Sequence, residues 1–413
     1  EVNEEGVDIY EPANTRPLAI GNTDNRIMCG AGRRRWGKIF NNWIFPHQKG
    51  FIRGRSMLSN VLTIDSEAMK VSLKEAYGGM ILFDFKAAFP SIERKFMLES
   101  LKWLGMPTRQ LRFIEMIYDR TIVKIKLAGV EGDYFSMSRG IRQGCPMSPL
   151  IFAVVVDILL RKLAHMLQET GMTRAFADET ATMLRDLLAS FSAVARTFEE
   201  YSLISGLHFD FGETIVVPLW REQEKSWDEL RRWMRTLGKG WEDVKVTNVA
   251  KYLGFLVGPG RNDEVWTKAI GKWQTRAKWW SHAGVGLQYA AMLYNTFCAS
   301  TLSFLAQLEE VPKAIHDDDL RIMLRMAKGP TAWANSHDLR RMGQQCGIGR
   351  SFHCIPARAA AAMFRACVFE CWEEPLQEEL LELDKAARGT VQHDRLVFWD
   401  SWYSRAFPRV LLN

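Results

Sequence analysis

The sequence lacks a hydrophobic segment long enough to cross a membrane. Its longest apolar run near the middle, residues 150–156, falls far short of the roughly 20 residues that a membrane-spanning helix needs. It also lacks a disulfide framework, because its seven cysteines are scattered, odd in number and without paired spacing. We therefore expect an intracellular protein without a membrane partner, in the nucleus or cytoplasm, a reducing compartment.

A marked excess of either charge is missing as well. The chain carries 54 Lys and Arg against 48 Asp and Glu, a net charge of +6 that is compatible with a nucleic-acid partner without establishing one. With 47% hydrophobic and 25% charged residues, the composition is that of an ordinary globular protein. The 413 residues suffice for two or three domains.

The most informative stretch is residues 80–91, which read MILFDFKAAFPS. Four apolar residues predict a short buried strand that ends at Asp84, and Ser91 is predicted as the N-cap of the helix that follows. A carboxylate at the end of a buried strand is costly to desolvate unless a positive charge lies beside it, which suggests a metal ion. Asp84 alone establishes nothing, so its partners must come from elsewhere in the chain.

A pair of adjacent acids stands in residues 173–183, which read as two short strands around Asp178 and Glu179. Adjacent carboxylates at the tip of a hairpin repel each other unless a cation lies between them. A solvated acidic turn explains the same residues, so the pair by itself does not distinguish a metal site from a surface loop.

Two glycine-bearing loops are candidates for ligand contacts. In residues 47–56, glycines flank basic residues so that Arg55 could bind a phosphate, although a solvated basic turn is the simpler explanation. Residues 139–149 form a glycine-rich turn into a helix, with Ser148 predicted at the N-cap and Gln143 within reach of a flat ligand. A structural capping loop explains this second segment about as well.

From residue 265 onward the chain is predicted to be wholly helical. Tryptophans recur at seven-residue spacing on one side of the first helix and basic residues at four-residue spacing on the other: Trp266, Trp273 and Trp280, against Lys268, Lys272 and Arg276. A solvated basic face is the usual explanation of such a pattern. A face that follows a nucleic-acid backbone is the sharper one.

The order of elements from residue 80 to residue 219 is strand, helices, hairpin, helix, strand pair, helix and strands. This order is typical of an α+β protein with a sheet backed by helices on one face. The sequence therefore predicts the α+β class before any motif is compared with a known family.

Taken together, these stretches resemble the ordered motifs of a reverse transcriptase, most similar to those of non-LTR retrotransposons and group II introns. In chain order the motifs are Arg16-Pro17-Leu18, Gln48-x-Gly50-Phe51-x-x-Gly54-Arg55, FDFKAAFPS around Asp84, RGIRQGCPMSPLIF around Gln143-Gly144, FADE at 176–179, Ser205-Gly206-Leu207 with Glu213-Thr214, and Tyr252-Leu253-Gly254. They span about residues 16–260. Each motif is weak alone, whereas seven in the correct order are specific.

The resemblance implies a right-hand polymerase with a ferredoxin-like palm, fingers, and a helical thumb followed by a C-terminal region. We expect N-terminally truncated fingers at 1–79, the palm with part of the fingers at 80–219, an insert and the primer-grip hairpin at 220–262, the thumb at 263–330 and a C-terminal helical region at 331–413.

The resemblance also implies roles for individual residues. The expected catalytic residues, which with the carbonyl of Phe85 are also the expected ligands of Mg²⁺ or substituting Mn²⁺, are Asp84, Asp178 and Glu179. The expected nucleotide-binding residues are Arg55, Arg26, Phe89, Gln143 and Gly144, with Phe89 excluding a ribose 2′-hydroxyl. The expected primer- and template-binding residues are Tyr252, Leu253, Gly254, Lys268, Lys272 and Arg276. The implied partners are an RNA template, a DNA or RNA primer and dNTPs, and the sequence indicates no oligomeric state.

Two departures from the family pattern separate the functional alternatives. Glu179 stands where the family has a second aspartate, and its extra methylene displaces the carboxylate by roughly an ångström. Glu213 stands where the family usually has a lysine in the motif of Ser205-Gly206-Leu207 with Glu213-Thr214. The first expectation is an RNA-directed DNA polymerase of a retroelement, and the alternative is a weakened or inactive nucleic-acid-binding relative. RNA-directed RNA synthesis is a third possibility, which Phe89 argues against.

Overall fold

The computed structural model describes residues 19–127, 129–220, 224–330 and 333–370. Within these ranges helices alternate with short strands, which confirms the predicted α+β class. The predicted motif Arg16-Pro17-Leu18 and the part of the predicted C-terminal region beyond residue 370 lie outside the described residues. None of the helices in the described ranges combines the length and the apolar character needed to span a membrane.

A mixed sheet carries the palm motifs. The strands of the described residues are β1 (Gly79–Phe83), β2 (Ile122–Leu127), β3 (Val130–Ser136), β4 (Gly171–Phe176), β5 (Glu179–Leu184), β6 (Ile215–Pro218), β7 (Lys245–Val246), β8 (Ala250–Tyr252) and β9 (Phe255–Val257). Five of them form one sheet in the order β4-β5-β1-β6-β7, while β2 pairs with β3 and β8 with β9. Strand β1 runs antiparallel to β6, with Ile81 opposite Val216, and β6 runs parallel to β7.

The helices complete the pattern. They are α1 (Thr23–Trp43), α2 (Met57–Lys74), α3 (Ala88–Ser91), α4 (Arg94–Trp103), α5 (Thr108–Tyr118), α6 (Ser148–Met166), α7 (Leu187–Ser205), α8 (Glu224–Met234), α9 (Thr267–Ser281), α10 (Leu287–Leu293), α11 (Lys313–Ala327), α12 (Ser336–Arg340), α13 (Met342–Cys346) and α14 (Ile355–Glu370). Four strands of the five-stranded sheet, β1, β4, β5 and β6, follow one another with helices after β1 and after β5, which gives the order β-α-β-β-α-β along the chain. In the sheet these four strands lie in the order β4-β5-β1-β6. This is the ferredoxin-like arrangement that was predicted for the palm.

Residue contacts divide the chain into two compact units. Unit 1 contains the described parts of Glu1–Arg55, Phe83–Thr180 and Ser190–Thr214, and unit 2 contains Ser56–Leu82, Ala181–Ala189 and the described parts of Ile215–Asn413. The finer boundaries expected for fingers, palm, primer-grip hairpin and thumb stay predictions.

Helix α6 is the apolar centre of unit 1. Most of its side chains between Leu150 and Leu163 are buried, and the hydroxyl of Tyr201 on α7 donates a 2.8 Å hydrogen bond to the carbonyl of Val155. Pro149 suits the first turn of this helix, because the N–H group that proline lacks would have no partner within the helix there.

Two predicted helix caps are wrong. Helix α6 begins at Ser148 itself with Met147 as its cap, and the Ser148 hydroxyl shares a 3.3 Å hydrogen bond with the hydroxyl of Tyr118. Ser91 ends α3 and does not cap the next helix. Its hydroxyl donates to the carbonyl of Ala87 at 2.8 Å, so it closes the preceding turn instead of opening the following one.

The tryptophan pattern of α9 and the residue before it forms part of the core of unit 2. Trp266 and Trp273 are buried, as predicted, whereas Trp280 is half-buried and stacks on Phe297 with ring centroids 5.2 Å apart. The apolar side of the predicted helix is therefore confirmed at two positions and partly at the third.

A buried ion cluster lies elsewhere in unit 2. The guanidinium of Arg261 is 3.1 Å from a carboxylate oxygen of Asp65 and 2.6 Å from one of Glu309, and all three side chains are at least nine-tenths buried. The two carboxylates raise the pKa of Arg261 despite its burial. The cluster joins helix α2 to segments that follow it by about 200 and 250 residues, and no sequence motif indicated it.

Candidate active site

Asp84 follows strand β1 directly and is held between two buried aromatic side chains. Phe83 and Phe85 both stack on Phe209, with ring centroids 5.1 and 6.0 Å away and planes within 17° of parallel. The backbone N–H of Phe85 donates a 2.9 Å hydrogen bond to Oδ1 of Asp84. The carboxylate therefore has a fixed orientation, because the N–H group of Phe85 bonds it and a ring from another segment, that of Phe209, packs against both of its neighbours.

The electrostatic environment of Asp84 opposes its ionisation. Burial raises its pKa most, the charge of Asp178 raises it further, and Asp210 and Glu213 add smaller contributions of the same sign. The hydrogen bond from the Phe85 N–H acts in the opposite direction. Two half-buried carboxylates that stand 94 residues apart in the sequence (178 less 84) thus interact in the fold.

This arrangement fits a divalent cation by its donor chemistry. Carboxylate and carbonyl oxygens are the ligands that Mg²⁺ takes, and a cation would relieve the repulsion that raises the pKa of Asp84. The pairing of Phe85 with Phe209 uses flanking backbone groups, namely Asp84 O with Asp210 N and Lys86 N with His208 O, so it leaves the Phe85 carbonyl outside the ladder. Among the described residues, no group of three or more acids, cysteines or histidines is already arranged as a metal site.

The turn that carries Asp178 is held by residues of the motif that runs from Gln48 to Arg55. Gln48 is fully buried, and its Oε1 accepts hydrogen bonds from the N–H groups of Gly50 and Ala177 at 2.8 and 2.9 Å. Its Nε2 donates to the carbonyl of Ala177 at 3.3 Å. Ala177 has a left-handed φ of 60°, which costs energy for a residue with a Cβ, so the Gln48 bonds stabilise a strained turn.

Gly50 is required at this contact for a steric reason. A Cβ built on Gly50 would lie 2.1 Å from the backbone nitrogen of Ala177. No side chain fits there. The sequence analysis gave Gln48 and Gly50 no role beyond their place in the motif with Arg55, and in the structure they position the residue before Asp178.

Arg55 has a comparable scaffolding role. Its two terminal nitrogens donate hydrogen bonds of 2.7–2.8 Å to four backbone carbonyls, those of Asn41, Ile44, Phe45 and Gln48. Burial lowers its pKa, and Asp157 partly offsets that effect. These bonds tie the end of α1 to the loop after it, which argues against the predicted contact of Arg55 with a triphosphate.

The other predicted nucleotide-binding residues lie at the surface or at its edge. Phe89 is half-buried and stacks on Phe152 with centroids 4.5 Å apart, while Gln143 and Gly144 are exposed. Arg26 is exposed on α1 and lines a surface depression of about 630 Å³. The Phe89 carbonyl accepts a 2.8 Å hydrogen bond from the N–H of Ile141, which links the motif FDFKAAFPS to the loop of Gln143.

The motif of residues 205–214 contains an acid, Asp210, that the sequence analysis did not single out. The N–H of Asp210 donates to the carbonyl of Asp84 at 3.0 Å, and the carbonyl of Asp210 accepts from Thr214 at 2.9 Å, so that this turn is joined to Asp84. The sequence signal was its position between Phe209 and Phe211, three residues before Glu213. Glu179, the second acid of the FADE box, is exposed.

The predicted primer and template contacts belong to unit 2. Strands β8 and β9 form a hairpin with Leu253 and Gly254 at its tip, both with positive φ, and the side chains of Tyr252 and Leu253 are buried. The basic residues of α9 are exposed, namely Lys268, Lys272 and Arg276. Arg276 also donates to the carbonyl of Phe297 at 2.9 Å.

A family comparison identifies the chain. The model described as "Reverse transcriptase (RNA-dependent DNA polymerase)" matches residues 4–210, half of the sequence. The chain belongs to the reverse transcriptase family. As predicted, this reverse transcriptase is of the non-LTR retrotransposon type. Its described residues have the predicted α+β class.

Known relatives of this reverse transcriptase are retrotransposon proteins. It is 26% identical over 210 residues to the Pol polyprotein of a type-1 retrotransposable element R2 from Nasonia vitripennis, covering 47% of this chain and 19% of that protein. It is 24% identical over 250 residues to the Pol polyprotein of R2DM from Drosophila melanogaster, covering 59% and 23%. A 149 kDa protein of transposon TX1 from Xenopus laevis is 23% identical over 318 residues, covering 72% and 24%. The chain thus spans about a fifth to a quarter of the length of these relatives.

Solved structures with a similar course of the chain include two telomerases. The structure of telomerase from Candida albicans with a fragment of telomeric RNA matches with a TM-score of 0.41 at 10% identity, over 83% of this chain and 51% of that one. Apo telomerase from Candida tropicalis matches with the same TM-score and identity, over 94% and 60%.

Proposed function

We propose that this reverse transcriptase domain is an active RNA-directed DNA polymerase of a retroelement, which adds dNMP to a primer 3′-hydroxyl by a two-metal mechanism. The observation that carries the proposal is the meeting of Asp84 and Asp178 in a half-buried position, where the charge of Asp178 raises the pKa of Asp84. Carboxylates held together against their own repulsion are typical of sites that bind catalytic cations.

In this proposal, Asp84, Asp178 and the Phe85 carbonyl hold Mg²⁺ or Mn²⁺, with Glu179 beside them. Divalent ions held there would supply activation of the attacking hydroxyl and charge stabilisation of the leaving pyrophosphate. The chain itself keeps the Asp84 carboxylate oriented, because the Phe85 N–H bonds it and the stacked rings around it fix the backbone. Preorganised ligands of this kind contribute to catalysis because they need not reorganise during the reaction.

Substrate contacts follow from exposure and packing. Phe89 is fixed by its stacking on Phe152 and, in the role that the family pattern gives it, excludes a ribose 2′-hydroxyl and favours dNTPs. Gln143 and Gly144, exposed in one loop, contact the incoming base and template, and exposed Arg26 supplies a positive charge. The hairpin tip of Leu253 and the basic side of α9 contact primer and template.

Primer extension on an RNA template tests the catalytic assignment. We expect Asp84→Asn and Asp178→Asn each to lower the extension rate at least about 10²-fold, because the neutral amide keeps the shape but loses the charge that holds a cation. Asp133→Asn, at an exposed aspartate on β3, should extend at the rate of the unchanged protein. No product from the unchanged chain with Mg²⁺ or Mn²⁺, or normal extension by Asp178→Asn, would contradict the proposal. Offering dNTPs and NTPs in parallel decides between DNA and RNA synthesis.

A weakened or inactive relative that binds nucleic acid without synthesis is the second candidate. One observation favours it: Glu213 adds to the negative potential at Asp84, at the position where the family pattern has a lysine. Glu213→Lys and Glu179→Asp should then raise the extension rate well above that of the unchanged protein. Full activity in the unchanged protein with no gain from either variant would exclude this candidate.

A further inference from the structure

Helix α9 carries an exposed tryptophan that lies outside the seven-residue pattern of Trp266, Trp273 and Trp280. The side chain of Trp279 is 75% exposed, although tryptophans are highly buried on average. An apolar side chain that is exposed singly needs no functional explanation. What gives Trp279 a meaning is therefore its surroundings, which are charged on one side and aromatic on the other.

The side of α9 around Trp279 carries only positive charges. Lys268, Lys272 and Arg276 are exposed, and the helix Thr267–Ser281 contains no acidic residue. Within the part of the chain that the structure describes, none of these three cations forms an ion pair. At about 3.6 residues per turn, Trp279 lies on the same side of the helix, at the end of a row of charges about 12 Å long. A polyanion matches this side of α9 in charge.

An acid that contacts α9 lies on another side of the helix and already has a cation. Oδ2 of Asp318 accepts a 3.2 Å hydrogen bond from Gln274, and Oδ1 of Asp318 is 2.8 Å from the guanidinium of Arg321. Gln274 is about 140° around the helix from Trp279. Asp318 therefore does not neutralise the row of cations.

The indole of Trp279 is supported by packed aromatic rings. It meets the ring of Trp280 edge to face, with centroids 6.1 Å apart and planes at 85°. Trp280 stacks on Phe297, whose carbonyl accepts a 2.9 Å hydrogen bond from Arg276. These contacts restrict the indole before any ligand binds, so that stacking on it costs little further side-chain entropy.

We propose that Trp279 stacks on an unpaired base of an RNA or DNA strand whose phosphates contact Lys268, Lys272 and Arg276. An aromatic ring next to a basic track suits single strands, because every base has a face that can stack while the cations follow the backbone. Inside a duplex the base faces are covered by neighbouring base pairs, so the indole selects unpaired nucleotides. The proposal rests on the proposed function, which brings primer and template to α9.

Trp103 on α4 is a matched control for the exposure of an indole. It is 64% exposed, but Glu99 and Lys102 of the same helix form a 3.6 Å ion pair beside it in the sequence. Charges of both signs near Trp103 give a polyanion no net attraction. We therefore expect Trp103→Ala to bind nucleic acid like the unchanged protein.

Binding of short, labelled single strands to the full chain tests the stacking. The probes are an RNA, a DNA of the same sequence, and an abasic DNA of the same length, which keeps the backbone charge without the bases. Trp279→Ala should weaken binding of the RNA or the DNA roughly 10-fold and leave abasic binding and the salt dependence unchanged. Trp279→Phe, which keeps a ring, should recover most of the affinity. A loss confined to one of the two base-bearing probes identifies the strand as RNA or DNA.

Three results would overturn the proposal. The first is equal affinity of Trp279→Ala and the unchanged protein for both base-bearing strands. The second is an equal loss on the abasic strand or in Trp103→Ala, which would indicate a change in fold or charge. The third is a sedimenting mass that depends on Trp279 while strand affinity does not, because the indole would then contact a second copy of the chain.

Primer extension on the same samples separates this proposal from the proposed function. Binding that depends on Trp279 in a chain that extends no primer would refute the polymerase and leave the stacking in place. Normal extension together with unchanged strand affinity in Trp279→Ala would refute the stacking and leave the polymerase in place.

Discussion

The position of Asp178 depends on a glycine more than 120 residues away. A Cβ on Gly50 would lie 2.1 Å from the nitrogen of Ala177 and 2.9 Å from the carbonyl carbon of Phe176, whereas ordinary contacts begin at 3.4 Å. In Gly50→Ala the backbone at Ala177 must therefore move by about 1.3 Å, the difference between 3.4 and 2.1 Å. Both neighbours are backbone atoms, so no side-chain rotation relieves the contact.

The expected effect is larger on catalysis than on folding. Asp178 follows Ala177 directly, and a displacement of about 1 Å in a reacting geometry costs ~10²-fold in rate. Overpacking of this kind destabilises a fold by about 1–3 kcal/mol. We therefore expect Gly50→Ala to fold, to bind a primer–template duplex, and to extend it ~10²-fold more slowly.

Single-turnover primer extension, with duplex affinity and thermal unfolding measured on the same samples, checks this prediction. Gly37→Ala is the matched control, because a Cβ on Gly37 in helix α1 has nothing within 4 Å, and Ala favours a helix over Gly. Extension by folded Gly50→Ala at the rate of the control would refute the reasoning. So would a loss of activity that merely follows the unfolded fraction.

Three further predictions concern charge. The pKa of Asp84 is raised in the fold, so between the ordinary and the raised pKa the folded state binds more protons than the unfolded state, and stability falls as pH rises through that window. Metal-free Asp84→Asn should therefore have a higher melting temperature than the unchanged protein at pH 7, and the difference should vanish in acid. Equal melting temperatures at pH 7 would contradict this prediction. Arg261→Met leaves two buried carboxylates unpaired and should cost about 3–5 kcal/mol in denaturant unfolding, against about 0–1 kcal/mol for the surface pair in Arg231→Met. If the basic side of α9 contacts phosphates, Lys268→Ala and Lys272→Ala should each reduce the salt dependence of duplex binding by about one counterion, as Lys313→Ala should not.

The sequence by itself determined the fold class and singled out two acids that interact in the fold, Asp84 of FDFKAAFPS and Asp178 of the FADE box. An apolar run ending in Asp84 requires a buried strand with a costly charge at its end, and this follows from local order alone. The order of strands and helices predicted the α+β class for the same reason, because each element is specified by residues adjacent in the chain. The ferredoxin-like palm was implied by the resemblance to reverse transcriptases, and the neighbour order of the strands agrees with it. The predicted helix caps at Ser91 and Ser148 were wrong, because the Ser91 hydroxyl bonds the carbonyl of Ala87 and the Ser148 hydroxyl bonds the hydroxyl of Tyr118.

Only the tertiary structure decided what the neighbouring motif residues do. Arg55 was predicted to bind a phosphate, whereas in the fold its guanidinium donates hydrogen bonds to four backbone carbonyls. Gln48 bonds Ala177, which lies 129 residues further along the sequence. Asp210 likewise depends on a partner from another segment, because its N–H donates a hydrogen bond to the carbonyl of Asp84. The physical reason is common to all of them: hydrogen bonds and charge interactions depend on distances of a few ångströms, which residue order does not specify until the chain has folded.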